Sequence, residues 1–319
     1  MNKGISIIIC TYNGAERLGQ TIEHIARQTL SSIPWEVILA DNASTDDSAA
    51  VGQSEWAKHH LPEIPFRVIY QPKPGKLYAL RNAISEARYE YIITCDDDNW
   101  LAPDYAEKIY KRFESSASVA AIGGFGIPVT EGSALPSWFK DYEVMYAVGA
   151  QAKKTGLMTG RSVLWGAGLS TRRSLYLKMY KTYPSFLIQQ ERDIIFAEDS
   201  EYCLRLLLKG YKLFYDSSLI YHHFISDSKL DLNRRDSYIA QFRNADVVLR
   251  KYYAAIRAML KTKGRPDIWL LLLITAPFEY YFSSSKIRKE KAYNTLFHML
   301  PLGLKSDPVS TSIKAFVKK

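Results

Sequence analysis

The sequence has few cysteines, no long apolar run and no glycine-rich phosphate loop. Its three cysteines, Cys10, Cys95 and Cys203, stand far apart in a chain of 319 residues. They form neither a zinc spacing nor a disulfide framework, which excludes a stapled secreted domain and favours a reducing compartment. The apolar stretch Ile268 to Phe278 covers 11 residues, whereas a crossing helix needs about 20, so no membrane span is expected. Met1-Asn2-Lys3-Gly4 leads into an apolar run of only seven residues, too short for a signal-peptide core. A cytoplasmic location is the expectation. After the first apolar run the chain reads Thr11-Tyr12-Asn13-Gly14-Ala15-Glu16-Arg17, without the glycines and lysine of a nucleotidyltransferase loop. Internal repeats and low-complexity segments are also missing.

The apolar share, 47%, is ample for a core, and the length exceeds one common domain. Charge is unevenly placed. Residues 234–319 hold 17 Lys and Arg against 6 Asp and Glu, a net of +11, which leaves −2 for residues 1–233 out of the chain's +9. A boundary near residue 230 is expected, with one domain over 1–230 and a basic, mostly helical region over 231–319. The basic tail admits an anionic membrane surface as a partner, or self-association. Its aromatics follow a helical core period (Tyr238, Phe242, Ala245, Leu249, Tyr252, Ile256, Met259) rather than a stacking platform, so nucleic acid is not expected. Ile268–Phe278 reads as a helix lying in a membrane interface, with Trp269, Tyr280 and Tyr281 at headgroup depth.

Before residue 230, strands and helices alternate. Ile5–Thr11, Glu36–Ala40, Phe66–Tyr70 and Tyr91–Cys95 are short apolar, β-branched runs typical of buried strands. Helices are expected over 16–30, from Ser44 (as a cap, with acids in the first turn), over 77–87, and over 103–113 with Pro103 in the first turn. This order predicts an α/β fold with a mainly parallel, doubly covered sheet. Val119–Phe125 reads as a strand, residues 126–165 as long loops, Ser200–Lys209 as a helix closed by Gly210, and Lys212–Tyr215 and Leu219–His222 as two closing strands.

The acidic run Asp96-Asp97-Asp98 follows the fourth strand. Carboxylates there stand at the carboxyl edge of a sheet, where open α/β folds bind ligands. Alternation along an extended chain points Asp96 and Asp98 one way and Asp97 the other, and two hard oxygen ligands suit a divalent ion that also holds phosphate. Further motifs sit at other element ends: Thr11-Tyr12-Asn13, Asp41-Asn42-Ala43-Ser44-Thr45-Asp46, Gly75-Lys76-Leu77-Tyr78-Ala79-Leu80-Arg81-Asn82, and Glu198-Asp199.

In that order, these motifs resemble the family 2 glycosyltransferases with a GT-A fold, over about residues 4–224. The resemblance implies an inverting transfer of one sugar from a nucleotide-diphospho-sugar, a UDP-sugar above others, to a hydroxyl of a glycan or lipid-linked acceptor in cell-surface polysaccharide biosynthesis. It implies a donor site of Thr11, Tyr12, Asn13, Asp41, Lys76, Arg81, Asp96 and Asp97. It also implies Mn²⁺ or Mg²⁺ held by Asp98 with Asp96, completed by His222 or His223. Asp199 would be the base and Glu198 would hold the acceptor. Trp165, Gly166, Ala167 and Gly168 would floor the acceptor site. The polymer synthases of the family carry Gln-x-x-Arg-Trp after the base; here Gln189-Gln190-Glu191-Arg192 precedes it and is followed by Asp193, which implies single-sugar transfer. The alternative is a non-catalytic carbohydrate- or nucleotide-binding protein on the same fold.

Overall fold

The structure is a computed structural model that describes residues 2–30, 32–158, 163–188, 197–262, 266–300 and 307–318. Residues 189–193, with the Gln-Gln-Glu-Arg run, lie outside the described residues.

The chain opens with β1 (Asn2–Thr11), α1 (Ala15–Ala26), β2 (Trp35–Asp41), α2 (Ser48–Ala57), β3 (Phe66–Tyr70), α3 (Lys76–Glu86) and β4 (Tyr89–Asp96). There follow β5 (Asn99–Leu101), α4 (Tyr105–Ser115), β6 (Val119–Thr130), α5 (Phe139–Tyr142), β7 (Gly156–Leu157), β8 (Ser170–Arg172), α6 (Arg173–Tyr180), α7 (Glu198–Leu208) and β9 (Lys212–Ile225). The C-terminal region is helical: α8 (Leu232–Thr262), α9 (Pro266–Phe282), α10 (Lys286–Met299) and α11 (Pro308–Lys318).

Among the described residues the strands form one nine-stranded sheet, ordered β3-β2-β1-β4-β8-β6-β9-β5, with β7 on β9. β3, β2, β1 and β4 run parallel, and β8 and β5 enter antiparallel. The parallel half is apolar on both faces because helices cover both: Ile5, Ile7, Ile8 and Ile9 are all fully buried. Leu18, Ile22 and Ile25 of α1, spaced three and four apart, pack into the same core. Register pairs Thr11 with Asp41 and Cys10 with Asp96. Three of the sequence motifs are thereby brought level at one edge of the sheet.

Several local expectations are corrected. Helix α2 starts at Ser48 behind Asp47 and has no acid in its first turn. Ser44 does not cap it, because its hydroxyl accepts the Asn13 amide at 3.0 Å. Pro103 precedes α4 rather than entering it. β6 continues to Thr130 inside the region read as loops, pairing with β9. The two closing strands are one, β9, which bridges 216–218 through an irregular register between Gly123 and Phe125 of β6.

The chain divides into two compact units: Met1–Lys178 with Lys212–Ile239, and Met179–Tyr211 with Ala240–Lys319. A single break near 230 was expected; instead segment 179–211 groups with the C-terminal helices. A sealed charge network accounts for this. Arg205 on α7 is fully buried and donates to the carbonyls of Met179 (2.8 Å), Tyr183 (2.6 Å) and Pro184 (2.6 Å), and to Tyr252 Oη on α8 (3.0 Å). Glu201, one turn before it, accepts from Arg205 Nη2 at 3.1 Å, from Tyr252 Oη at 2.6 Å and from the Phe186 amide at 2.8 Å. Burial opposes the charge on Arg205, but Tyr252 and Glu201 outweigh it and hold its pKa above the ordinary value. A buried pair survives when its remaining polar atoms are satisfied, and here they are.

Candidate active site

β1, β2 and β4 end level, so the loops that leave them share one edge, and hydrogen bonds tie these loops together. Asn13, with φ of 49°, accepts the Thr45 amide on its Oδ1 at 2.8 Å. Asp41 is buried and accepts the Ser44 amide at 3.0 Å. Asn42 donates to the Lys73 carbonyl at 2.8 Å and accepts the Gly75 amide at 2.6 Å. Tyr12 is 56% exposed, an open aromatic face beside these loops. Arg81 is half-buried on α3.

The alternation expected along the acidic run does not operate, because β4 ends at Asp96 and Asp97–Asp98 turn into β5. Each carboxylate instead meets its own cation. Asp96 Oδ1 lies 2.5 Å from Lys76 Nζ. Asp97 is buried and takes Arg17 from α1 through two bonds, Nε to Oδ1 at 3.1 Å and Nη2 to Oδ2 at 3.0 Å, plus the Thr11 hydroxyl at 2.6 Å. Its backbone carbonyl accepts from Thr21 Oγ1 at 2.8 Å. Gly14 is required at this close approach, since a Cβ there would lie 2.1 Å from Asp97 Oδ2. Burial pushes the Asp97 carboxyl up, and Asp98 adds to this against Arg17 and Thr11.

Asp98 is also buried. Its Oδ2 accepts from Lys229 Nζ at 2.6 Å, and its Oδ1 accepts from Asn99 Nδ2 at 3.2 Å and lies 3.4 Å from His223 Nε2. Burial works against ionisation here, yet His223 and Lys229 outweigh it and hold the carboxyl well below the usual range. The structure therefore places His223, rather than its neighbour His222, beside Asp98. His222 pairs with Trp100 across β5.

Among the described residues no three His, Cys, Asp or Glu side chains converge as a complete metal cage. Asp98 and His223 offer a carboxylate oxygen and an imidazole nitrogen close together. This pair suits Mg²⁺ or Mn²⁺ when phosphate oxygens and waters fill the remaining positions. The residues fit such an ion with one condition: Lys229 stands on the oxygen the ion would use.

Trp165 and Gly166 are half-buried and lead into Ala167 and Gly168, which are buried. Gly168 has φ of 67°, and its carbonyl accepts from Tyr105 Oη at 2.7 Å. In the other unit, Glu198 and Asp199 open α7 as first-turn acids behind Ala197, whose φ is 68°. Asp199 Oδ1 accepts the Ser200 amide at 2.5 Å. Acids are favoured at this end of a helix.

Sequence reasoning missed Arg17 and Lys229. Arg17 carried a weak signal, a basic residue one turn into the helix after Thr11. Lys229 carried none.

The glycosyl transferase family 2 model matches residues 6–175, and a glycosyl transferase family group 2 model matches residues 91–304. The chain is 28% identical over 280 residues to the cholesterol galactosyltransferase of Borreliella burgdorferi, covering 78% of this chain and 72% of that protein. It is 38% identical over 114 residues to a Bacillus subtilis glycosyltransferase, YwdF, covering 35% of this chain and 39% of that protein. Among solved structures, S. aureus TarS matches with a TM-score of 0.55 at 14% identity, covering 93% of this chain and 49% of that one. The mannosyltransferase PcManGT of Pyrobaculum calidifontis, solved with GDP-Man and Mn²⁺, matches with a TM-score of 0.53 at 17% identity, covering 94% and 88%. The chain matches about two fifths of the length of the first curated relatives. With a level row of polar strand ends on a mixed sheet of this order, and a family model over more than half its length, it belongs to glycosyl transferase family 2 and has a GT-A fold.

Proposed function

We propose that the protein is a metal-dependent inverting glycosyltransferase that moves one sugar from a nucleotide-diphospho-sugar, a UDP-sugar by preference, to a hydroxyl of a glycan or lipid-linked acceptor. The observation that carries this reading is the acidic turn Asp96–Asp98, level with Thr11 and Asp41 and individually countered by Lys76, Arg17 and Lys229. Tyr12 offers a ring to stack on the base, and Asp41 a carboxylate for a pyrimidine N–H. Lys76 and Arg81 of α3 supply positive charge for the diphosphate. Asp98 and His223 would hold Mn²⁺ or Mg²⁺, which when bound neutralises charge on the departing diphosphate. The metal and UDP readings draw support from PcManGT, solved with Mn²⁺, and from TarS residues 1–349, solved with UDP-GlcNAc and matching with a TM-score of 0.51.

In the transfer step Asp199 takes the proton of the acceptor hydroxyl while that oxygen attacks the anomeric carbon. The bond from that carbon to the phosphate oxygen breaks, and the nucleoside diphosphate leaves with the electron pair. Attack from behind inverts the anomeric centre. Glu198 holds the acceptor, and Trp165-Gly166-Ala167-Gly168 gives it a floor. A thermal-shift panel of UDP-, GDP- and dTDP-sugars with and without Mn²⁺ tests the reading. A shift for a UDP-sugar that grows with Mn²⁺ is expected; no shift with any nucleotide sugar refutes it.

The enzyme is further proposed to work at the inner face of the cell membrane. Among the described residues α9 presents Leu270, Leu271, Ile274, Phe278, Tyr281 and Phe282 at 57–75% exposure. At its end a groove of about 390 Å³ is lined by Tyr280, Tyr281, Lys286, Lys289 and Glu290. No helix among the described residues is long and apolar enough to cross a membrane. An exposed apolar helix ending in aromatics, followed by the lysines of α10, suits the interface of an anionic leaflet. A relative named for a cholesterol acceptor supports a lipid-borne one. Vesicles containing phosphatidylglycerol should pellet the intact protein at low salt. Ile274→Asp should weaken this and leave soluble-acceptor transfer unchanged. Failure to pellet at low salt refutes the location.

A further inference from the structure

The three cations on the acidic turn are not equivalent. Arg17 grips Asp97 with two bonds, and Thr11 and Thr21 hold the same residue. Lys229 holds Asp98 through a single ammonium at 2.6 Å. The Lys229 backbone is anchored: its amide donates to the Ser226 carbonyl at 2.8 Å, and its carbonyl accepts from Tyr146 Oη at 2.9 Å. The next residue, Leu230, is buried with Phe139 and Tyr146. Asp227 and Ser228 just before it are exposed. The side chain, 26% exposed, can therefore leave Asp98 by rotation about its own bonds while the backbone stays fixed. Asp98 Oδ1 is engaged by Asn99 and faces His223, so Oδ2 is the oxygen a metal would take once Lys229 leaves it. A divalent ion held by it would need the space that Nζ fills. Two cations cannot share that place.

Building on the metal-and-donor reading above, we propose that Lys229 is an exchangeable counter-cation. It keeps Asp98 charged and aimed while the site is empty, then cedes Oδ2 to the divalent ion and turns its ammonium to the donor diphosphate. Metal without nucleotide must compete with Lys229 and binds poorly; metal with nucleotide gives Lys229 a new anionic partner and binds well. The two ligands are therefore positively coupled through one side chain, and coupling of this kind usually amounts to about 5–150-fold in affinity.

Manganese titrations followed by electron paramagnetic resonance of free Mn²⁺ test this on the full chain, with and without UDP. Lys229→Met should bind Mn²⁺ alone roughly tenfold tighter than the unaltered protein, and should bind Mn²⁺ with UDP more weakly. A merely structural lysine would not move the two affinities in opposite directions. Lys229→Arg, which keeps the cation, should retain the unaltered pattern. If Lys229→Met matches the unaltered protein in both titrations, or Lys229→Arg behaves as Lys229→Met, the exchange is overturned while the metal reading stands. If the unaltered protein holds UDP but takes up no Mn²⁺ with it, the exchange and the metal reading both fail.

Discussion

Two clusters of charge, one in each unit, show how differently a fold can use ion pairs. In the C-terminal unit, Arg205 and Glu201 are wholly buried, and Arg205 is fastened to three main-chain carbonyls. On the sheet edge, Asp96 and Asp98 face the ends of long lysine side chains that reach in from partly exposed positions. The first cluster is closed: removing one partner strands a charge where no water or ligand can reach it. The second is held in balance by side chains able to move. Burial sets what each is for, since a sealed pair specifies how segments meet and a balanced open one keeps charge ready for a ligand.

The largest effect should come from opening the edge cluster. Asp98→Ala should abolish metal-dependent donor binding, and transfer with it, while the melting temperature stays near that of the unaltered protein. Undiminished turnover in EDTA would remove the metal from the account. Asp199→Asn should keep donor binding yet slow transfer by about 10²–10⁴-fold, with inverted product from the unaltered enzyme. Near-normal transfer by that variant would move the base elsewhere. Arg205→Met should do the reverse of Asp98→Ala, costing about 3–5 kcal/mol of stability by leaving Glu201 buried and unpaired. Denaturant unfolding measures it, and a loss below about 1 kcal/mol, the scale of a surface pair, would erase the distinction between the clusters.

A smaller effect, dependent on pH, belongs to the C-terminal unit. Burial lowers the pKa of His298 from 6.5 to about 4, and Lys314 adds to this; its Nε2 is buried without a partner. The unfolded chain takes up the proton first, so this contribution is fully present above about pH 6.5 and is lost as pH falls toward 4, up to about 3 kcal/mol in all. His298→Phe should flatten that part of the stability curve. An unchanged slope between pH 4 and 6.5 would show that the ring is not held neutral.

The parallel half of the sheet was legible because Ile5–Thr11 and Tyr91–Cys95 are uniform runs whose two-sided burial leaves no alternation to misread. The acidic turn was legible because three adjacent unpaired charges are too costly to bury within a strand; a lone charge such as Glu36 of β2 is buried only because Ser6 and Arg67 pair with it. What escaped depends on distance in sequence. Lys229 meets Asp98 across 131 positions, and Arg17 meets Asp97 across 80; no local pattern encodes either. β5 has three residues and exists only because β9 pairs with it. Glu201 and Arg205 are four apart on a helix, which in sequence looks like an ordinary surface pair. Only the carbonyls of 179–184 and the Tyr252 hydroxyl reveal it as core.

The passage of the chain through its C-terminal unit twice has a consequence for any attempt to shorten or recombine this enzyme. Helix α7, which begins with Glu198 and Asp199, is buttressed by Tyr252 and by Phe316, whose carbonyl accepts from Lys209 Nζ at 2.5 Å. A chain ended at residue 239 would keep the strands of the sheet but strip the helix bearing the proposed base of those supports. Loss of transfer in such a truncation would report a collapsed α7 and would say nothing about lipid. A chimera meant to exchange the acceptor must therefore carry 179–211 and 240–319 together, as one cassette in two pieces.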